Sequence, residues 1–466
     1  MQTPDYLKAG QVARLFPVIS ETGKEQRTAS IFLAVISAVP PLANAIFSQI
    51  GQKVGLRSSI NTYTEVVFQS SSKTSEKDRP DGLIEINTGR KTWRALIEAK
   101  ISQSKLDKEQ IERYLRIARE NSIDAVITFS NEFAALPSHH PICVNKMLTR
   151  KVSLYHFSWK AVLTEAVLMH EQSAISDTEQ AFLLREFIRF LSHDSAGVTG
   201  YTSMPKEWKD AVEKIKAGGN IPKTELGEAI VWGWHQELKD LSLIASRIIG
   251  CNTSVKLSRT HANDPATRAK DDLENLCANG VLEAELNIPN AADELKITAD
   301  LRCRSLRVSM KLDAPKDKKS SKARLNWLLR QLKEADPEGI SISIIWASRA
   351  PDTDFTLEEL RCDPNLVETT QSTAEVRAFR VTLTSTSGRR FVGRKTVIED
   401  LEMLVPSFYE RVGQFLQTWK PPAPKPKHKI APNEDQKSLP SDDLPSAGNS
   451  HSELLEIPAF LERAAE

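Results

Sequence analysis

Cysteine is scarce in this sequence: five cysteines are scattered over 466 residues, and none of them has a C-x-x-C spacing. A disulfide framework and a zinc ribbon are therefore not expected. Long apolar runs are also missing, because residues 32–50 are interrupted by Pro40-Pro41 and by polar residues. The first residues lack the basic and apolar regions of a secretion signal, and no phosphate-binding glycine motif occurs. These absences predict a cytoplasmic protein with no membrane span and no ATP-driven motion.

Neither sign of charge dominates, since 62 basic residues face 61 acidic ones and the formal net charge is +1. Contact with nucleic-acid phosphates must therefore be local. One candidate lies where a loop enters a helix predicted over Ser321 to Ala335, because the N-terminus of a helix attracts phosphate. Its basic residues are Lys316, Lys318, Lys319, Lys322 and Arg324. A solvated lysine-rich loop explains the same cluster at least as well.

The residues between 79 and 101 are typical of a β-hairpin. Two apolar-rich runs are separated there by the turn-forming sequence Asn87-Thr88-Gly89-Arg90. Antiparallel pairing around this turn places Asp81 beside Glu98. Glu98 and Lys100 are two residues apart, so their side chains point to the same face of the second strand.

This arrangement of charges has a chemical meaning. Two carboxylates held close together repel each other unless a cation lies between them, and oxygen ligands suit Mg²⁺ or Mn²⁺. A lysine beside the metal can orient or activate a water molecule and can offset charge on a phosphate. The hairpin therefore predicts a phosphodiester hydrolase with Asp81, Glu98 and Lys100 as catalytic residues. The alternative is a hairpin with surface charges and an ordinary ion pair.

At these residues the chain resembles the PD-(D/E)XK nuclease superfamily: Pro80-Asp81 matches the first motif and Glu98-Ala99-Lys100 the second. A helix predicted over Ser104 to Asn121 carries Gln110 and Tyr114, which is similar to the Q-x-x-x-Y motif of the RecB-like branch. The resemblance covers about residues 15–170. It implies a restriction-endonuclease-like mixed sheet flanked by helices, a Mg²⁺ (or Mn²⁺) cofactor, and DNA positioned by Gln110 and Tyr114.

The resemblance also implies a further acidic metal ligand upstream of the hairpin. A helix predicted over Ser20 to Gly51 carries Glu25, and a strand predicted over Thr62 to Phe68 carries Glu65. Either glutamate could complete the metal shell of the two hairpin carboxylates, and Glu25 is the preferred candidate. Each is explained equally well as a solvated surface charge.

The expected fold class is α/β, with a second α+β region after the nuclease-like sheet. We predict five segments: a PD-(D/E)XK nuclease-like domain (1–172), a helical connector (173–253), an α+β domain (254–418), a disordered linker (419–452) and a short amphipathic docking peptide (453–466). The strands predicted in the α+β domain are Val281 to Ile288, Glu294 to Arg302, Leu306 to Leu312, Ile340 to Trp346 and Val376 to Thr384. The task of this domain stays open between binding nucleic acid, holding a protein partner and forming a homodimer.

The last residues resemble the docking tail of bacterial cell-division tubulins, in which an Ile-Pro-Ala-Phe-Leu core also follows a disordered linker. Leu454, Ile457, Phe460 and Leu461 would form one apolar stripe that enters a groove on a partner protein. Glu462 departs from that family, where a basic residue is usual. Folding of this peptide back onto its own chain is an equal alternative.

The leading hypothesis is a Mg²⁺-dependent (endo)deoxyribonuclease acting in restriction, repair or phage defence. The alternative is a non-catalytic scaffold with the nuclease fold, which binds nucleic acid or a cell-division partner through its second domain and its tail. The sequence leaves open whether the nucleic acid is DNA or RNA.

Overall fold

A computed structural model describes residues 7–12, 15, 23–55, 57–68, 79–347, 350–370, 374–386 and 388–421. The predicted docking residues Leu454, Ile457, Phe460 and Leu461 and almost all of the predicted linker lie outside these ranges. Met1–Pro421 forms one compact unit. Its two sheets and their helices confirm the expected α/β fold class.

The first sheet is mixed, as predicted, and its six strands follow one another in chain order. They are β1 (Leu7–Val12), β2 (Ser59–Phe68), β3 (Gly82–Asn87), β4 (Thr92–Ala99), β5 (Ala125–Ser130) and β6 (Ser153–Ser158). Strands β1 to β4 pair antiparallel, whereas β4, β5 and β6 are parallel. A parallel pair needs a crossover, and between β4 and β5 this is α3 (Lys108–Glu120).

Different helices cover the two faces of this sheet. Four of them pack on one face: α1 (Lys24–Ala38), α2 (Pro40–Phe47), α4 (Trp159–Glu171) and α5 (Thr178–Ser192). Helix α3 packs on the other face. In β4, Ile97 and Ala99 belong to the first core and Leu96 to the second, so the alternation of the strand turns Glu98 toward α3.

Helix ends explain where the predicted boundaries moved. The helix over Ser20 to Gly51 was predicted with a kink at Pro40-Pro41, and the structure has a full break at Val39, because α2 begins with two prolines that suit the first turn of a new helix. The helix predicted from Ser104 begins only at Lys108, because Asp107 caps it by accepting a hydrogen bond from the Gln110 N–H at 2.9 Å.

The second sheet is antiparallel throughout, with seven strands in the order β12-β11-β13-β10-β9-β8-β7. These are β7 (Ser254–Val255), β8 (Val281–Asn287), β9 (Leu295–Asp300), β10 (Ser305–Asp313), β11 (Ile340–Trp346), β12 (Thr353–Thr356) and β13 (Val376–Ser385). The five predicted strands of this region are confirmed. The short strands β7 and β12 were not predicted.

The second core joins this sheet to helices from both sides of residue 254. They are α6 (Trp208–Lys216), α7 (Glu225–Ile249), α9 (Pro265–Asn279), α10 (Ser321–Gln331), α11 (Leu357–Cys362), α12 (Leu366–Thr370), α13 (Arg389–Val392) and α14 (Thr396–Arg411). The short helix α8 (Arg259–Asn263) precedes α9 and has no buried residue. Helices α8 and α9 were not predicted, because polar and charged residues outnumber the buried apolar positions of α9. In the described ranges no single helix could cross a membrane; α1 and the segment Pro40–Ile50 reach the necessary length only as a pair bent by 107°.

Candidate active site

The hairpin formed by β3 and β4 brings Asp81 and Glu98 together. Gly82 pairs with Ile97, so the next position along each strand sets Asp81 beside Glu98, as predicted. The Ala99 N–H donates a hydrogen bond to Oδ2 of Asp81 at 2.8 Å, which fixes this carboxylate against the strand. Burial raises the pKa of Asp81 well above its ordinary value, and the neighbouring charge of Glu98 raises it further.

Glu98 is 1% exposed and faces the ammonium group of Lys100. Nζ of Lys100 lies 2.6 Å from Oε1 of Glu98, so the two side chains do share one face of the strand. Burial raises the pKa of Glu98, and the positive charge of Lys100 opposes that rise. Apart from this ion pair, both buried oxygens of Glu98 lack a well-formed hydrogen bond to any described residue.

Lys100 is held by three distant parts of the chain. Its N–H donates to the Phe129 carbonyl at 2.8 Å, and its own carbonyl accepts a hydrogen bond from Nε1 of the buried Trp159 at 2.9 Å. Oε2 of Glu25, in the first turn of α1, lies 3.7 Å from Nζ. Burial lowers the pKa of Lys100, but the surrounding carboxylates outweigh burial and raise it above its ordinary value. The side chain is therefore a protonated ammonium in this arrangement.

The structure thus brings Glu25, and not Glu65, to the lysine. Glu65 lies in β2, is exposed, and forms no ion pair with any described residue. Its φ of +53° marks an irregular position where the pairing of β1 with β2 shifts register. The extra residue keeps Tyr63 and Val66 on the same face of the sheet, toward α3. The unusual backbone of Glu65 is therefore explained by core packing.

Gln110 and Tyr114 lie one turn apart on α3 and are hydrogen-bonded to each other, as their spacing predicts. Nε2 of Gln110 donates to the Tyr114 hydroxyl at 2.9 Å, and that hydroxyl donates to the Arg79 carbonyl at 2.9 Å. Burial raises the pKa of Tyr114, and the nearby charge of Glu98 adds to the rise, so the hydroxyl keeps its proton. The pair braces the backbone two residues before Asp81.

The donor set suits a hard divalent cation. In the described part of the chain, no group of three or more His, Cys, Asp or Glu side chains converges as a metal cluster. Mg²⁺, however, is usually bound through one or two carboxylates and retains several water molecules. Asp81 is half-buried and Glu98 buried, and their adjacent, mutually repelling carboxylate oxygens are of the type that this ion prefers. These residues therefore fit Mg²⁺ or Mn²⁺.

A second polar group adjoins the site and was missed by sequence reasoning. Thr128 of β5 pairs with Glu98, and His156 of β6 pairs with Thr128, so the polar row continues across the parallel strands. His140 reaches this row from the loop between β5 and β6. Only the tertiary pairing of β4, β5 and β6 joins these residues, since no local motif links them.

The hydrogen bonds of this row have one consistent direction. Nε2 of His156 lies 2.8 Å from the Glu132 carbonyl and must donate to it, so Nδ1 accepts from the Thr128 hydroxyl at 2.9 Å. The Thr128 oxygen in turn accepts from Nε2 of His140 at 2.9 Å. Nδ1 of His140 then accepts from the Ile142 N–H at 2.9 Å. Nδ1 of His140 also lies 3.1 Å from the Ile142 carbonyl. Burial lowers the pKa of both imidazoles, which favours the neutral rings assigned to these hydrogen bonds. We call this set the Thr128 network.

The predicted basic cluster divides into structural and exposed residues. Arg324 is 9% exposed, and its guanidinium donates to the carbonyls of Val376 at 2.7 Å and Lys318 at 2.8 Å. It braces the backbone beside the second sheet, so the expectation of a phosphate contact is wrong for Arg324. Lys322 donates to the Asn365 side chain at 2.7 Å, and Lys318 pairs with Asp317 at 3.4 Å. Lys316 and Lys319 are exposed, and a phosphate contact by them stays a prediction.

No family model matches this chain. No curated protein and no solved structure matches it either. The functional argument therefore rests on the residues of the site.

Proposed function

We propose that this protein is a divalent-metal-dependent nuclease that hydrolyses phosphodiester bonds of DNA. The observation that carries the proposal is the convergence of Asp81, Glu98 and Lys100 at the ends of β3 and β4, with Glu25 on the far side of the lysine. Two adjacent buried carboxylates are costly unless a cation compensates them. An ammonium group at the edge of such a pair is suited to a phosphate.

Asp81 and Glu98 would hold Mg²⁺ or Mn²⁺, and Glu25 would act through water or through Lys100. The bound ion would supply Lewis-acid stabilisation of the leaving oxygen and would acidify a water molecule. The Ala99 N–H keeps Asp81 oriented, and burial of Glu98 excludes competing solvent. The ordering of these groups before the substrate arrives reduces the reorganisation that the reaction requires.

Lys100 has a charge-stabilising role in this proposal. The raised pKa of Lys100 keeps its side chain protonated, which suits contact with a phosphate oxygen or positioning of a water molecule and disfavours proton abstraction. Tyr114 acts as a positioning residue through the Arg79 carbonyl. Contact of Gln110 and Tyr114 with DNA remains part of the proposal.

Cleavage of plasmid DNA with Mg²⁺ or Mn²⁺ tests the proposal. Asp81→Asn and Lys100→Ala should each lose at least about two orders of magnitude in rate, as expected for the loss of a metal ligand or of a charge-stabilising group. Glu109→Gln, in the exposed first turn of α3, is the matched control and should retain full activity. Equal activity of the wild type and all three variants, or no cleavage by the wild type, would overturn the assignment.

A non-catalytic scaffold is the second candidate, and one observation favours it. Lys100 already neutralises Glu98 at 2.6 Å, as an ordinary structural ion pair would. Calorimetric titration with Mg²⁺ separates the two candidates: the nuclease should show a site that is lost in Asp81→Asn, and the scaffold should show none. Restriction, repair and phage defence are the settings that the nuclease proposal suggests, and binding of a cell-division partner by the tail belongs to the scaffold proposal.

A further inference from the structure

Helices α7 and α9 lie side by side and leave a groove of about 570 Å³ on their outer side. They approach closely at Gly227, where a Cβ atom would stand 2.6 Å from Cδ1 of Leu273. Because the inner sides of both helices belong to the second core, the groove is the outward seam of a packed helix pair. It lies outside the candidate active site.

Each helix contributes one stripe of residues to the groove. On α7 the outer stripe is Glu225, Glu228, Ala229 and Trp232, and on α9 it is Ala266, Ala269, Lys270 and Leu273. The buried Val231 and the half-buried His235 of α7 also line the groove. Both sets follow the i, i+3, i+4, i+7 spacing of a single helix face. A seam with this spacing is the surface that a further helix uses in a helical bundle.

The floor and wall of the groove suit close contact with a helix. The alanines of both stripes let another backbone approach, and Trp232 is 44% exposed at the side of the groove. Tryptophan is the residue type that most often supplies a large share of binding energy at protein interfaces. The groove thus offers an aromatic anchor beside a smooth apolar floor.

The charges along its two sides identify the occupant. Glu225 and Glu228 stand on the α7 side and Lys270 on the α9 side; all three are exposed, and none forms an ion pair with a described residue. A two-fold axis along the groove sets α7 of each chain against α9 of the other. Glu228 of each chain then lies opposite Lys270 of its partner, which gives two symmetry-related ion pairs. The surface is therefore complementary to itself.

We propose that the α7–α9 groove is a homodimer interface, in which the helix pairs of two copies form a four-helix bundle that covers Trp232 of each copy. This proposal is independent of nuclease activity. The two ion pairs at the sides fix the relative orientation of the chains, and the apolar floor supplies the contact area.

Sedimentation velocity on the full chain tests the proposal by charge reversal. The wild type should be a dimer. Glu228→Lys sets like charges against Lys270, and Lys270→Glu sets like charges against Glu228, so each variant alone should dissociate about tenfold or more readily. An equimolar mixture of the two variants should restore the dimer as a mixed pair. One chain is then positive at both positions 228 and 270 and the other is negative at both, so opposite charges meet at each of the two contacts. Glu179→Lys, at an exposed position of α5, is the matched control and should remain dimeric.

Circular dichroism of each variant separates dissociation from unfolding, since the substituted positions are exposed. A wild type that stays monomeric at all accessible concentrations would overturn the proposal. So would a dimer that neither reversal weakens, or a mixture of the two variants that stays monomeric. Dimerisation and its rescue by the mixture would be retained even if DNA cleavage were absent.

Discussion

The Thr128 network predicts that this protein loses stability in mild acid. The rings of His140 and His156 are buried and lie close together, with 5.6 Å between their centroids, so a charge on either imidazole is unfavourable. Burial lowers the pKa of His140 to about 3 and that of His156 to about 4. In the unfolded chain both pKa values return to about 6.5.

The sign of the effect follows from these values. Above about pH 6.5 both rings are neutral in both states, so their full stabilising contribution is present. As the pH falls below 6.5, both histidines become protonated in the unfolded chain but stay neutral in the folded chain. In the folded chain His156 is protonated only near pH 4 and His140 only near pH 3. At about pH 5 each ring therefore costs about 2 kcal/mol, since one pKa unit is worth about 1.4 kcal/mol, and the pair costs about 4 kcal/mol.

Buried carboxyl groups change stability in the opposite direction. Asp81 and the fully buried Glu237 have raised pKa values, so the folded chain binds a proton at each more tightly than the unfolded chain does. These groups therefore add stability as the pH falls toward the pKa of an unfolded carboxyl group. A variant that removes only the imidazoles is therefore needed to isolate their share. The double substitution His140→Gln and His156→Gln removes both titrations and retains polar side chains.

Urea unfolding of the wild type and the double variant at about pH 7.5 and about pH 5 measures the difference. Between these pH values the wild type should lose about 4 kcal/mol more of its unfolding free energy than the double variant. His170→Gln, at an exposed position of α4, should behave as the wild type. Parallel losses in the wild type and the double variant would refute neutral imidazoles as the cause.

Three further substitutions test individual contacts. Tyr114→Phe should cost about 1–2 kcal/mol of unfolding free energy in a urea titration, because it removes the hydrogen bond to the Arg79 carbonyl. It should also slow DNA cleavage in a plasmid assay. Arg324→Ala should destabilise the chain by about 2–4 kcal/mol, since it empties a buried position and leaves the Val376 carbonyl without its donor, as thermal unfolding can show. Gly227→Ala should cost about 1–3 kcal/mol because its Cβ meets a leucine methyl at 2.6 Å, again measured by thermal unfolding.

Two of these substitutions, Arg324→Ala and Gly227→Ala, have a control elsewhere in the chain. Lys316→Ala, at an exposed position without a described partner, should change stability by less than about 0.5 kcal/mol. Gly55→Ala should be nearly neutral, because no atom lies within 4 Å of the added Cβ. A loss at Lys316 as large as that at Arg324 would contradict the separation of the basic cluster into exposed and structural residues.

The hairpin and its charges could be predicted from the sequence because their cause is local. A turn-forming sequence fixes the register of the two strands, and the period of two then places Glu98 and Lys100 on one face. The start of α4 has a similarly local cause, because the Ser158 side chain caps it by accepting a 3.1 Å hydrogen bond from the Ala161 N–H.

Features that depend on distant parts of the chain escaped sequence reasoning. The choice between Glu25 and Glu65 required the docking of α1, and the Thr128 network required the pairing of three parallel strands. Arg324 occurs in a lysine-rich stretch, and only tertiary contacts reveal that its guanidinium turns inward. The function and the residues that carry it remain predictions, because the structure places them together without testing their chemistry.

The three anchors of Lys100 have a consequence for the order of assembly during folding. Asp81 and Glu98 belong to one hairpin and can meet as soon as it closes, since little chain entropy is lost in so short a loop. The lysine acquires its fixed place only after β5 has paired and Trp159 of α4 has docked on its carbonyl. A nascent chain that ends before α4 would therefore contain the two carboxylates without the constraint that aims the ammonium group. The fixed position of the ammonium group would thus arise late in biosynthesis, well after the acidic pair has formed.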